Sequence, residues 1–329
     1  MTLFAGVDIG GTKCAVGLGR AESGRVVPLA KQQFPTPDTP EVALEELVSR
    51  LEALVAAQNA GPPAAVGISC GGPLNSTRGL ILSPPNLPGW DGVDVVSPFR
   101  ARFGVPAGLQ NDANACALAE WQWGAGQGCR SMVFLTFGTG MGAGLILDGR
   151  LYAGITDMAG EVGHVRLAQE GPVGYGKQGS FEGFCSGGGI ARLAQTRALQ
   201  HIQLGAPPRF CPTLADLETV TAEKVGVAAQ AGDPLALEIF STVAQALGRG
   251  LALLVDVLNP ERIIIGSIYG RQRTLLEPEA MRVLRQEAHP HALTACEVLP
   301  AGLGEQVGDY AGLAVALMSV GQGERECHS

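Results

Sequence analysis

The sequence predicts an α/β protein of two similar halves around a cleft, and three observations carry that expectation. A glycine turn, Asp8-Ile9-Gly10-Gly11-Thr12-Lys13, stands between apolar runs near the N-terminus. A second, Gly138-Thr139-Gly140-Met141-Gly142-Ala143-Gly144, stands between apolar runs in the middle of the chain. Around both, helix-period stripes alternate with short apolar segments bounded by Gly, Pro and Asn. Each turn runs from a strand back into a strand, which excludes the dinucleotide fingerprint, and no G-x-x-x-x-G-K-[ST] occurs. Glycine lets backbone N–H groups approach an anion with no Cβ in the way, and successive N–H groups form an anion-binding concavity. Two such turns, one per half, would grip the phosphates of one nucleotide. An Asp at the end of the first strand, Asp8, is placed to hold Mg²⁺ through water beside them.

The elements follow in order. Leu3 to Ile9 and Cys14 to Leu18 read as strands flanking the first turn. Thr39-Pro40 reads as an N-cap and first helical position, followed by a stripe of Val42, Leu44, Leu47, Leu51, Leu54 and Val55 at helical spacing. Ala64 to Ser69 is a short strand ending in Gly71-Gly72-Pro73. Ser83 to Pro88 is loop, and a helix is expected from Val95. Gln110-Asn111-Asp112 ends a strand and opens a helix through Ala113 to Trp123. Met132 to Phe137 and Ala143 to Leu147 flank the second turn, and a polar, Gly-rich stretch fills Ala159 to Gly189. The longest helix is expected from about Ser241 to Leu258, closed by Asn259-Pro260. A strand, Arg262 to Ile265, ends in Gly266-Ser267, and a last helix spans Tyr310 to Val320.

A length of 329 residues sets an expectation of two domains. The division falls at a smaller N-terminal α/β domain, 1–110, joined by the C-terminal helix 308–321, and a larger α/β domain, 111–307. Glycine, at 47 residues, is about twice as frequent as average. The net charge of −8 and the lack of a basic cluster argue against a nucleic-acid surface. No basic leader precedes the first apolar run, and no apolar run approaches the roughly 18 residues that span a bilayer, so neither a signal peptide nor a membrane partner is expected. Eight cysteines scattered without C-x-x-C spacing read as reduced thiols in a cytoplasm.

Two α/β halves with phosphate-binding hairpins facing across a cleft describe the actin-like ATPase (ribonuclease H-like) fold. Six motifs then make the chain resemble the ROK family of repressors and sugar kinases, and within it the bacterial ATP-dependent glucokinases. They are Asp8-Ile9-Gly10-Gly11-Thr12-Lys13, Pro85-Asn86-Leu87-Pro88-Gly89-Trp90, Asn111-Asp112-Ala113-Asn114-Ala115, Gly138-Thr139-Gly140-Met141-Gly142, Glu161-Val162-Gly163-His164 and Asn259-Pro260-Glu261-Arg262-Ile263. They lie in the family's order and cover essentially the whole chain.

The resemblance implies phosphoryl transfer from ATP to the 6-hydroxyl of a hexose, most simply glucose. Phosphoryl transfer to a hydroxyl needs a carboxylate to take the alcohol proton, which the family draws from its Asn-Asp motif, here Asp112. At a helix start the macrodipole favours its ionised form. The implied sugar contacts are Gly72, Asn86, Asn111, Asp112, Glu161, His164 and Glu182. The implied ATP contacts are Asp8, Gly10, Gly11, Thr12, Lys13, Gly138, Thr139, Gly140, Gly142, Gly266 and Ser267, with Lys13 facing either phosphate or solvent. Another hexose or an N-acetylhexosamine is the alternative substrate. A sugar-binding regulator without catalysis is a further alternative, which Asp112 and both hairpins oppose. A homodimer is the family's common habit.

Two departures matter. Relatives follow Glu-x-Gly-His with C-x-C-G-x-x-G-C-x-E, whose three Cys and the His make a structural Zn²⁺ site. Here Val173, Tyr175 and Ser180 stand where those cysteines belong, so no structural zinc is expected. His164 must then be oriented otherwise, by a hydroxyl of Ser180 or Tyr175 or by a backbone carbonyl. The second departure is Gly266-Ser267-Ile268, where relatives carry consecutive glycines beside the nucleotide.

Overall fold

The first half opens with a meander, β1 (Leu3–Ile9), β2 (Lys13–Glu22) and β3 (Arg25–Pro35). The tight glycine turn sets its register, with Ile9 opposite Cys14 and Asp8 opposite Ala15. The computed structural model describes residues 2–22, 25–59 and 61–326. After β3, α1 (Pro40–Ala57) begins at Thr39, whose hydroxyl accepts from the Val42 N–H. It leads into β4 (Val66–Cys70), parallel to β1. A small antiparallel sheet of β5 (Leu74–Asn75), β6 (Leu80–Leu82) and β7 (Asp91–Asp94) and the short α2 (Ser97–Phe103) precede β8 (Ala107–Asn111), parallel to β4. The strand order is β3-β2-β1-β4-β8.

The second half repeats that plan. From β8 the chain turns directly into α3 (Asp112–Trp123), then a second meander, β9 (Met132–Phe137), β10 (Met141–Leu147) and β11 (Arg150–Leu151). A small hairpin, β12 (Val173–Gly174) and β13 (Lys177–Gln178), is followed by α4 (Phe181–Phe184), α5 (Gly187–Gln203), α6 (Ala222–Gln230) and α7 (Pro234–Leu258). Then come β14 (Arg262–Ile265), α8 (Ile268–Arg271), α9 (Arg273–Glu287), α10 (Pro290–Leu293), β15 (Glu297–Pro300) and α11 (Val307–Glu326). The strand order, β11-β10-β9-β14-β15, matches that of the first half position for position, with β14 and β15 parallel to β9.

Three glycines explain where α11 packs. Gly6, Gly67 and Gly108 stand side by side on β1, β4 and β8. A Cβ on Gly67 would lie 2.1 Å from the Gly312 carbonyl oxygen and 2.2 Å from the Ala316 nitrogen, and one on Gly108 would lie 2.3 Å from Ser319 Oγ. The chain's last helix therefore sits in a trough of the first half's sheet, while its alanines join those of α3 in a cluster at the junction of the halves. One alternation further along the same face runs a polar row, Asp8, Ser69 and Gln110.

Four expectations need correction. Val42 is exposed, and the buried stripe of α1 is Ala43, Leu47, Leu51, Leu54 and Val55, because a spacing of three to four keeps those residues on one side. The longest helix starts at Pro234, capped by Asp233, well before Ser241. The helix after Val95 begins at Ser97, and β3 and β15 form where no strand was expected. With its full length, α7 is long and apolar enough to cross a membrane. In this structure it is a core helix, with Gly248 against α9 and Gly250 against Phe181. The seven described cysteines are free thiols, and Cys327 lies outside the described residues.

Candidate active site

The first turn brings Asp8, Gly10, Gly11 and Thr12 to one edge of the cleft. Gly10 N–H donates to the Lys13 carbonyl at 3.1 Å, and a Cβ on Gly11 would lie 2.3 Å from the Asn86 carbonyl oxygen, so no larger residue fits. Thr36 braces the turn from outside, its hydroxyl donating to the Gly10 carbonyl at 2.5 Å and its N–H to the Thr12 carbonyl at 3.1 Å. No motif marks Thr36 in the sequence. Gly11, Thr12 and Lys13 are exposed.

The second turn brings Gly138, Thr139, Gly140 and Gly142 together with Glu182. Glu182 accepts from the Met141 N–H at 3.1 Å, and a Cβ on Gly140 would lie 2.9 Å from its carboxylate. Gly266 N–H donates to the Leu135 carbonyl at 3.0 Å, and the Ser267 hydroxyl faces Gly138. Ser267 has φ +55°, a backbone state that favours glycine. The start of α5 closes the group, Gly187 N–H donating to the Gly138 carbonyl at 2.7 Å.

Between the turns stands Asp112, the first residue of α3. Asn111 caps that helix by accepting from the Asn114 N–H at 2.9 Å, and Asp112 accepts from the Ala113 N–H at 2.7 Å. The start of α3 presses on the second hairpin, since a Cβ on Gly144 would lie 2.4 Å from the Ala113 carbonyl oxygen. The Asp112 carboxylate is open to the cleft, yet the crowding halves strip it of water. Burial pushes its pKa up, against the backbone N–H bonds that pull it down. The expected preference of the helix start for an ionised Asp112 is thus outweighed, which leaves a stronger base. Burial also pushes Asp8 up to about 6; the Asp112 charge adds to the rise, while Lys31 and Lys13 oppose it.

Glu161, His164 and Glu182 meet Gly72 at a cavity of about 210 Å³ that Pro73, Met141, Met158 and Tyr175 also line. Glu161 and His164 bracket a single 3₁₀ turn, which stacks residues three apart. Burial, then the charges of Asp112 and Glu182, push Glu161 upward, while His164 pulls it down. Asn86, Asn111 and Asp112 lie outside the cavity lining. They flank it: the Asn111 amide is 3.9 Å from where a Cβ on Gly72 would stand, and the Asn86 amide is 3.7 Å from that of Gly71. A further cavity of about 220 Å³ is lined by Asp8 with Lys31 and Asp309, which are ion-paired. Its walls are mostly glycine and aliphatic residues, so the acid-lined cavity suits a polyhydroxyl ligand better.

The hairpin β12–β13 holds Val173 on its first strand and Tyr175 in its turn, two of the positions where the family resemblance implies zinc-ligating cysteines. Tyr175 and Gly176 form its two-residue turn with φ +43° and +73°. Ser180 does not orient His164, because its buried hydroxyl accepts from Gly183 N–H at 3.0 Å, capping α4, and donates to the Gly174 carbonyl at 3.4 Å. Tyr175 instead sets its ring edge-on to His164, centroids 6.2 Å apart, and Lys177 donates to the His164 carbonyl at 2.8 Å. Among the described residues, no three His, Cys, Asp or Glu side chains gather to hold a metal. The loop therefore does not fit zinc. Asp8 offers hard carboxylate oxygens at the cleft edge beside the first turn, the donor type that suits Mg²⁺.

Glu120, on the helix that starts at Asp112, is a buried acid that the sequence reading missed. Fully buried, it accepts from Ala125 and Gly302 N–H groups at 2.8 and 2.9 Å and from Leu303 N–H at 2.9 Å, tying the end of α3 to the loop before α11. An acid in a helix's last turn opposes the macrodipole, which is the signal that could have singled it out.

The model of the ROK family matches residues 4–318. A glucokinase of Streptomyces coelicolor is 33% identical over 315 residues, covering 94% of this chain and 95% of that protein. A ROK family glucokinase from Streptomyces griseus, solved in complex with glucose and AMPPNP, superposes with a TM-score of 0.74 at 32% identity, covering 96% of this chain and 99% of that one. A ROK hexokinase from Thermus thermophilus gives 0.77 at 30% identity, covering 98% and 100%.

Proposed function

The chain belongs to the ROK family, and on that premise we propose that it is an ATP-dependent hexokinase that converts glucose to glucose 6-phosphate. The observation that carries the reading is Asp112, set between two glycine turns and beside an acid-lined cavity of about 210 Å³. Support comes also from glucokinase relatives at about a third identity over nearly the full chain, one of them solved with glucose and a nucleotide analogue.

In this mechanism Glu161, His164 and Glu182, with Asn86 and Asn111 at the rim, hold the sugar hydroxyls so that an isomer lacking a partner leaves buried polar groups unpaired. The 6-hydroxyl then points at Asp112, whose raised pKa suits it to take the proton. The freed sugar oxygen bonds to the γ-phosphorus as the bond from that phosphorus to the β–γ bridging oxygen breaks, and ADP leaves carrying the bridging oxygen. Backbone N–H groups of both turns neutralise charge on the phosphates. Mg²⁺ beside Asp8 would supply further neutralisation of the phosphate oxygens. Closure of the halves, 1–110 with α11 against 111–307, excludes water. A cytoplasmic setting and a homodimer belong to the same reading.

The test is an ADP-release assay over a panel of hexoses and N-acetylhexosamines with ATP and Mg²⁺. Glucose should show the highest kcat/KM. A higher value for an N-acetylhexosamine overturns the substrate, and no ADP release with any sugar overturns the activity.

A further inference from the structure

Beside the acid-lined cavity, the two halves are joined by a polar contact that none of the roles above uses. Asp157 Oδ2 accepts from the Ser76 N–H at 2.8 Å, and Asp157 Oδ1 accepts from the Ser76 hydroxyl at 2.7 Å. Ser76 follows β5, three residues past Pro73, while Asp157 adjoins Met158; Pro73, from the first half, and Met158, from the second, both line the cavity. Both donors of one residue thus meet both oxygens of one carboxylate, a charge-assisted arrangement.

The segment bearing Asp157 is fixed to the second half. Tyr152 N–H donates to the Leu145 carbonyl and Ala143 N–H to the Gly160 carbonyl, each at 2.8 Å, and Ala159 N–H closes the loop on Ala153 at 3.0 Å. At Gly160, with φ +92°, a Cβ would lie 1.9 Å from the Ala143 carbonyl oxygen, so the return onto β10 demands glycine. Asp157 itself sits at φ +59°, which Asp tolerates better than most residues. A rigid arm from one half therefore delivers a carboxylate to a turn of the other.

We infer that Asp157 is a latch across the sugar cavity: seated on Ser76, it holds the halves together over bound hexose and sets how fast the sugar leaves. It is a positioning residue, since it touches neither the cavity nor the reacting atoms. The inference rests on the hexokinase reading. It also predicts a separation of effects, because the phosphate turns are formed by other segments.

The experiment compares wild type with Asp157→Ala, Asp157→Asn, Ser76→Ala and the Ser76→Ala/Asp157→Ala double variant. Steady-state kinetics give kcat and both KM values, and stopped-flow tryptophan fluorescence gives glucose dissociation without nucleotide. Asp157→Ala should raise glucose KM and the dissociation rate roughly tenfold. Ser76→Ala, which keeps the backbone donor, should raise them roughly threefold, and the double variant should match Asp157→Ala alone. ATP KM should stay within about twofold, and kcat should hold, or rise where opening limits turnover. Asp157→Asn retains the tolerance for positive φ, so it and Ser76→Ala carry the test even where Asp157→Ala folds poorly. Unchanged glucose KM and dissociation in those two variants overturn the latch, as does an equal rise in ATP KM. A wild type that releases no ADP with glucose overturns the hexokinase reading instead, while the dissociation rates still decide the latch.

Discussion

Asp8 carries a burial cost that Lys31 and Lys13 offset only in part. Its carboxyl rises from the usual 3.8 to about 6 in the folded chain, so between those values the folded state binds more protons than the unfolded one. Stability contributed by such a group is present at low pH and is lost as pH rises through that window. Asp8→Asn should therefore stabilise the free protein above pH 6, by about 1 kcal/mol once solvent in the open cleft is allowed for. The gain should fade below pH 4, as thermal melts at a series of pH values would show. The same variant should lose most of its kcat, because hard oxygens no longer hold the cation. Asp112→Asn should lower kcat by roughly 10²- to 10⁴-fold while glucose still binds, measured by calorimetry; undiminished turnover would remove Asp112 from the mechanism.

At the level of elements, the sequence made the two hairpins, the Thr39 cap and the Asn111-Asp112 junction legible, because each depends on local chemistry: glycine turns, a capping hydroxyl, a strand running into a helix. It did not expose the trough for α11. Gly6, Gly67 and Gly108 are far apart in sequence, and only strand pairing aligns them. Gly67→Ala should cost about 2–4 kcal/mol, since its Cβ would meet backbone on α11, which cannot swing aside as a side chain can. A denaturant midpoint would measure it. Nor did sequence reveal how His164 is held; Ser180 and Tyr175 looked equivalent until the helix cap claimed one hydroxyl. Tyr175→Ala should raise glucose KM about three- to tenfold through loss of the ring-edge contact. Elemental analysis should find zinc well below one per chain, and a chelator that spares Mg²⁺ should leave activity intact.

For the whole molecule, the hexokinase reading depends on how the two halves meet. Two contacts cross between them: α11, lying in the first half's glycine trough, packs its alanines with those of α3, and the Ser76–Asp157 bridge spans the halves at the cavity. Glucose and a nonhydrolysable nucleotide at 100 times their dissociation constants should each stabilise the fold by about 2.7 kcal/mol. A rise in melting temperature with a fall in radius of gyration would register both binding and closure. The repeated strand order adds a last consequence. Asp8 stands two residues before the first glycine turn, and the residue two before the second is Thr136, whose hydroxyl is occupied by its own hairpin, accepting from Gly142 N–H at 2.8 Å. The scaffold is doubled but its charge is not. One copy is free to carry a carboxylate because the other stays neutral; a matching Asp at 136 would turn a grip on a polyanion into a repulsion. The cleft is thus symmetric as architecture and asymmetric as charge, with an acidic side at Asp8 and a neutral side at Thr136.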